Sequence, residues 1–229
     1  MYKEHSAIDK PAKSLVIWRY LELWKFLDII DNKKLYMSRC DLFEDKYDGR
    51  IPVKSVSELD DKHPLKQVDG FSESTLRKCS YLSCWSSEQK ETYPLWKIYS
   101  DYRNSVAIKT TVGDLIDSIS QETSTQHIGK VKYVDSDGPY RFHGNTYQFF
   151  FEKRNYFIFE QEVRILTELQ FKDYTELLNL PFGIKIDIDP HKLIKEIVLA
   201  PMADESFKNL IELKLKDSNI QVKVSFSDI

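Results

Sequence analysis

Glycine is scarce in this chain, at 7 of 229 residues, about 3% where roughly 7% is usual. None of Gly49, Gly70, Gly113, Gly129, Gly138, Gly144 and Gly183 stands at the spacing of G-x-G-x-x-G, and no G-x-x-x-x-G-K-[ST] occurs. Both motifs need glycine so that backbone can approach a phosphate, so Rossmann and P-loop cofactor sites are excluded. Cysteine is scarcer still. Cys40, Cys79 and Cys84 are odd in number and form no C-x-x-C, which reads as reduced thiols in a cytoplasmic chain.

The five histidines, His5, His63, His127, His143 and His191, show neither H-x-x-x-H spacing nor a Cys/His ligand pattern, so no metal is expected. None sits in a partner motif for Cys84, which argues against a thiol nucleophile. Asp187, Asp189 and His191 look metal-like, but a strand ending in an N-cap Asp before Pro190 explains them better. No apolar run reaches 18 residues and the stretch from Met1 to Lys13 is polar, so neither a membrane span nor a secretory signal is expected. A formal charge of -3 gives no global footprint for nucleic acid.

Rings are abundant: Trp 4, Tyr 13 and Phe 13 make up 13% of the chain. Ser14 to Tyr20 reads as a buried strand, and Leu23, Phe26, Leu27 and Ile30 fall at helical spacing after it. A short strand follows from Lys34 to Ser38, then a long aperiodic loop over 39–70, of a length that often lies over a binding site. Next come a strand Cys79 to Trp85, a helix Thr92 to Arg103 with Pro94 in its first turn, a strand Ser105 to Thr110 and a helix Val112 to Ile119. Gln161 to Leu169 looks extended. Ile184, Ile186 and Ile188, and later Ile220, Val222, Val224 and Phe226, alternate with polar residues as half-buried strands do. Between these lie a short strand, Glu196 to Leu199, and a helix capped by Asp204 with Phe207, Leu210 and Ile211 inward. Strands and helices mixed without strict alternation predict one α+β domain over 1–229, with an ordered core at 14–227.

The stretch from Lys153 to Arg164 (KRNYFIFEQEVR) carries the most chemistry. If residues 160–166 are extended, Glu160, Glu162 and Arg164 share one face. Two carboxylates and a guanidinium so placed can hold a ribose, stabilise an oxocarbenium-like cation or orient a nucleophile. The commoner arrangement is an exposed face whose charges pair weakly, at roughly 0–1 kcal/mol per pair. Arg19, between Trp18 and Tyr20 at the end of the first strand, can clamp a phosphate or pack its stem on rings with its head in water. Ser83, Cys84, Trp85 and Ser86 end another strand. Trp96 and Tyr99 lie three apart on the next helix, a spacing that more often means core than ligand stacking.

Taken in order, these segments resemble an uncharacterised bacterial domain-of-unknown-function family. Its members tend to show Tyr-Arg-Tyr, Phe-Asn-Asp-Pro-Phe-Glu-Gly, Ser-Cys-Phe-Ser, Trp-x-x-Tyr-[Ala/Ser] and Lys-x-x-x-Trp-x-x-Glu-x-Glu-x-Arg. The matching positions are Trp18 to Tyr20, Phe43 to Gly49 with Asp45, Ser83 to Ser86, Trp96 to Ser100, and Lys153 through Phe157 to Glu160, Glu162 and Arg164. Departures include Trp18 for Tyr, Glu44 for Asn, Lys46 for Pro, Asp48 for Glu and Phe157 for Trp.

The layout is also similar to the ADP-ribosyltransferase superfamily, whose first strand carries Arg or His, whose second motif bears Ser or Tyr, and whose later strand carries a catalytic Glu. That resemblance implies a mixed, mainly antiparallel split sheet with flanking helices. It implies NAD as substrate, Glu162 at the nicotinamide ribose, Glu160 orienting the acceptor and Arg19 at the phosphates or ribose. Tyr20, Ser83, Trp85, Ser86, Trp96, Tyr99 and Arg164 would line the NAD site, with Asp45 and Lys153 as further candidates. The expectation is an ADP-ribosyltransferase or NAD glycohydrolase, acting as a toxin or antiphage defence effector. A macromolecular acceptor, protein or nucleic acid, and a neutralising partner protein go with it. Two alternatives stand beside it: a metal-dependent nuclease using Asp45 or Asp48 with Glu160 and Glu162, and a non-enzymatic binding module.

Overall fold

The β-branched and aromatic residues of Val16–Glu22 (β1) lie in the interior of a nine-stranded sheet. The computed structural model describes residues 1–50, 70–120, 124–135 and 145–229. The sheet runs β11 (Lys223–Phe226), β10 (Glu196–Leu199), β4 (Ser105–Thr111), β1, β3 (Ser80–Ser86), β2 (Lys34–Arg39) and β9 (Gly183–Asp187). β8 (Glu162–Glu168) also pairs with β3, and β5 (His127–Lys130) pairs with β8. Every ladder in the sheet is antiparallel except that of β10 with β11. A separate parallel pair joins β6 (Lys132–Val134) to β7 (Glu152–Arg154).

The sheet divides at β3. Its partner at Tyr81 and Leu82 is β2, whereas at Ser86 it meets Trp18 of β1. Between those rungs, Ser83 to Trp85 keep only the ladder to β8. The α+β, mainly antiparallel expectation is met, and the split opens a gap where a side chain can reach main-chain carbonyls.

The two faces of the sheet are packed differently. One is covered by α1 (Leu23–Asn32), α4 (Val112–Ser118) and α7 (Glu205–Asp217), whose Phe26, Ile29, Leu115, Ile116, Phe207 and Ile211 join one large core with Ile17, Leu21, Trp85 and Val163. Burying each such side chain contributes about 1.5–3 kcal/mol. The other face carries two smaller apolar clusters. One groups Trp18, Tyr20, Leu95, Trp96, Ala107 and Val198; the other groups Ile8, Cys40, Leu82, Phe150, Phe151 and Leu166. Between them, along the rungs Cys84 with Arg164 and Ser86 with Glu162, the face is polar.

Helix boundaries follow their caps. Asp204 accepts from Phe207 N–H, Asp189 from His191 N–H ahead of α6 (Pro190–Leu193), and Thr111 from Asp114 N–H. α3 (Tyr93–Tyr99) stops short of the expected Arg103. Asp101 Oδ1 accepts from Arg103 N–H, Asn104 N–H and Ser105 Oγ, a turn that competes with helix continuation. In α7 the inward residues are Phe207, Ile211 and Leu215, while Leu210 is exposed. Ile220 and Val222 precede β11 rather than belong to it.

The expected loop over 39–70 holds a 3-10 turn at Cys40–Leu42 and further turns to residue 50, and 51–69 lie outside the described residues. The helix Gly70–Cys79 (α2) was not expected from the sequence. A short helix Tyr174–Leu178 (α5) completes the set. Among the described residues no helix is long and apolar enough to cross a membrane.

Candidate functional site

Glu162 opens β8, and the residues before it do not extend the strand as expected. Asn155–Glu160 is a 3-10 turn ending at Gln161, whose φ is 43°. Strand alternation therefore does not align Glu160 with Glu162; Lys153 of β7 does. Its Nζ donates to Glu160 Oε2 and to Glu162 Oε1 at 2.6 Å, and lies 3.8 Å from Asp48 Oδ2. On the same face, Arg164 donates from Nη1 and Nη2 to the two Asp48 oxygens at 2.6 and 2.7 Å, and from Nε to Glu162 Oε2 at 2.6 Å. It also reaches Phe150 O at 2.8 Å. All five side chains are buried, so the arrangement is not an exposed face of weak pairs.

Asp48 is placed by its turn. Gly49 follows with φ of +71°, and a Cβ there would stand 2.6 Å from Cys40 Sγ and 3.1 Å from Phe150. Both the left-handed backbone and the close approach demand glycine. Arg77 Nε fixes the same turn by donating to Asp48 O at 3.0 Å.

The five charges comprise two cations and three carboxyls, so with every group ionised one negative charge is in excess. It is resolved on Glu160. Burial and the neighbouring Glu162 push the Glu160 carboxyl up to about 7. Burial also opposes ionisation of Glu162, but Arg164 and Lys153 outweigh it and hold that carboxyl well below its usual range. Two adjacent carboxyls with separated proton affinities are the usual mark of divided acid and base roles. Tyr99 donates to Glu160 Oε1 at 2.9 Å, and burial keeps its hydroxyl protonated. Tyr133 Oη accepts from Glu162 N–H at 2.9 Å.

Asp48, Tyr99, Lys153, Glu160 and Glu162 floor a cleft of about 860 Å³, within the range of small-molecule sites. Its walls include Trp18, Arg19, Tyr20, Tyr36, Asp45, Tyr47, Trp85, Ser86, Ile98, Tyr99, Arg154, Phe157 and Phe159. Arg19 reaches it beside the gap in the sheet. Its Nη1 donates to Cys84 O at 2.6 Å and Nη2 to Tyr36 O at 3.4 Å, and its guanidinium carbon lies 5.5 Å from the Trp85 ring centroid. Nε is buried with no partner. Among the described residues no carboxylate pairs with Arg19. Burial lowers it only to about 10, so it is a cation at neutral pH.

Of the expected site residues, Arg19, Tyr20, Asp45, Trp85, Ser86, Tyr99, Lys153, Glu160 and Glu162 thus line one cleft. Three do not. Ser83 is wholly buried on the opposite face of β3 and accepts from Trp85 Nε1 at 3.2 Å. Trp96 packs edge-on against Tyr20 at 4.9 Å and donates to Glu91 Oε2, so it is core. Arg164 is consumed by Asp48 and Glu162 and touches no open space. Asp48, Tyr47 and Arg154 were absent from the expected NAD-site set, although Asp48 stood in the nuclease alternative and all three fall within the motif segments; the Asp48-Gly49 pair is a turn signal inside an aperiodic stretch.

All three cysteines are free, and burial pushes the Cys84 thiol well above its usual range, so it is no ready nucleophile. Among the described residues no cluster of His, Cys, Asp and Glu is arranged to hold a metal. Of the carboxylates in the nuclease alternative, Asp48, Glu160 and Glu162 are occupied by Lys153 and Arg164, and Asp45 by Arg154. No protein-family model matches the chain, and a search of curated proteins gives no match.

Proposed function

We propose that the protein cleaves the nicotinamide–ribose bond of NAD, as an ADP-ribosyltransferase or NAD glycohydrolase. The observation that carries this reading is the carboxyl pair Glu160 and Glu162, split in proton affinity, in one cleft with the uncompensated cation Arg19. Breaking the bond sends its electron pair to the nicotinamide nitrogen, which leaves neutral and needs no acid. Positive charge then develops on the ribose, where the ionised Glu162 stabilises it. The incoming hydroxyl or amine forms the new bond at the ribose carbon and passes its proton to Glu160, a base whose affinity near 7 suits that task. Arg19 would hold the pyrophosphate with its remaining N–H groups. The ring-lined walls give the low-dielectric surroundings in which such charge stabilisation is strongest.

The test is nicotinamide release from NAD by the full chain, with and without protein and nucleic-acid acceptors. Glu162→Gln should lower the rate by about 10²–10³-fold, as loss of an electrostatic stabiliser does. Equal rates in the variant and the parent, or no release with any acceptor, would overturn the reading.

A further inference from the structure

One group of side chains on the cleft rim is unused by that chemistry. The Arg154 guanidinium carbon lies 4.4 Å from the Tyr47 ring centroid, 5.6 Å from Phe157 and 5.7 Å from Tyr156. Tyr47 and Tyr156 are 63% and 73% exposed, so an alternation of rings and guanidinium stands open to solvent. Such surfaces bind the π-faces of bases, since every base stacks on rings and on arginine.

The platform also has a polar edge. Asp45 is 6% exposed in its side chain. Its Oδ1 accepts from Arg154 Nη2 at 2.8 Å and from Tyr47 N–H at 3.0 Å, while Oδ2 is buried with no partner. Arg154 Nε is likewise unpartnered. Both of these atoms lie below the surface, so Asp45 fixes the Arg154 fork and the Tyr47 turn while the exposed rings meet the base. Phe157 connects this edge to the reacting groups: Lys153 Nζ sits 4.6 Å from its centroid and holds Glu160. Phe157 and Lys153 thus link the platform to the carboxyl that would take the proton of a bound base.

We infer that Tyr47, Arg154 and Tyr156, with Asp45 at their edge, form a nucleobase subsite separate from the NAD donor, and that the acceptor is single-stranded nucleic acid. The subsite stands on these contacts; its role as acceptor rests on the NAD reading above.

The experiment is binding of a labelled single-stranded DNA octamer to the full chain, with ADP-ribose filling the donor site. Tyr47→Ala and Tyr156→Ala should each weaken binding by about five- to tenfold, and Tyr156→Phe, which keeps the ring, should retain it. Both tyrosines are exposed, so the variants should fold; unchanged melting checks this. Saturating ADP-ribose should leave binding intact. Unchanged affinity in both alanine variants overturns the inference. So does displacement by ADP-ribose, which would give the platform to the donor's own adenine, or label from NAD found on protein acceptors alone. Nicotinamide release without ring-dependent DNA binding removes this inference and spares the NAD reading. Ring-dependent binding without nicotinamide release removes the NAD reading and the acceptor role with it, and spares the base subsite.

Discussion

Arg19 and Arg164 reach the same rung of β3 from opposite sides, and the protein treats them in opposite ways. Arg164 is paired across from Cys84, is wholly buried, and meets two carboxylates and a carbonyl. Arg19 bonds to the carbonyl of that same Cys84 and to Tyr36 O, with no carboxylate among the described residues and three of its five N–H groups left over. The positive charge of Arg164 is cancelled inside the fold, so it shapes Glu162 and Asp48 and offers nothing to a ligand. That of Arg19 is not cancelled. The lesson is that a guanidinium's partners, rather than its position in a motif, separate the arginine that builds a site from the one that faces a substrate.

The strongest way to break the comparison is Arg164→Met. It leaves Asp48 and Glu162 buried without their main cation, a loss of about 3–5 kcal/mol in the usual range for a broken buried pair. Urea unfolding should show this as a lower midpoint. Adding Asp48→Leu should recover part of the loss, because the stranded charge goes with it. A cost below about 1 kcal/mol for Arg164→Met alone would make the two arginines equivalent.

A second variant sharpens the comparison through the excess charge that the Arg164 network leaves behind. Glu160 carries its proton up to about pH 7, whereas an unfolded glutamate loses it near 4.3. Folding therefore favours the protonated form. That contribution is complete below the unfolded value and is lost as pH rises through about 7. Glu162 has the opposite sign: held well below its usual range, it adds stability above that range, lost on acidification. Glu160→Gln should consequently match the parent near pH 5 and exceed it by about 1–3 kcal/mol at pH 8. Melting curves at the two pH values decide it. An advantage for the parent at pH 8 would mean that the carboxylate is stabilised where it stands.

The fold class was legible because its signals are local. Alternation in Gly183–Asp187 and the caps Asp189 and Asp204 act within a few residues, and those elements formed as expected. Glu162 and Arg19 were legible as charges set among apolar residues. The connection between Glu160 and Glu162 was not, because it runs through Lys153 on another strand and around a turn that ends in a left-handed Gln161. Asp48 lies 116 residues from its partner Arg164, and no periodicity reports a contact of that separation. Trp96 and Tyr99 share a helix and a spacing, yet one is core and the other lines the cleft. The difference is set by β1 and Tyr20 packing beneath α3, which a helical wheel does not contain.

The smallest stability effect belongs to Arg19→Gln, and it tests the other half of the comparison. Glutamine can still donate to one of the two carbonyls, so the fold should lose only about 0.5–1.5 kcal/mol, the worth of a hydrogen bond. The larger consequence is in ligand linkage. A species that binds only the folded state raises the melting temperature with its concentration, and millimolar inorganic pyrophosphate should do so for the parent through the N–H groups that Arg19 leaves free. Arg19→Gln should abolish most of that rise while barely moving the melting temperature in buffer. If the rise persists, Arg19 only plugs the gap between β1 and β2, and the contrast with Arg164 is one of degree.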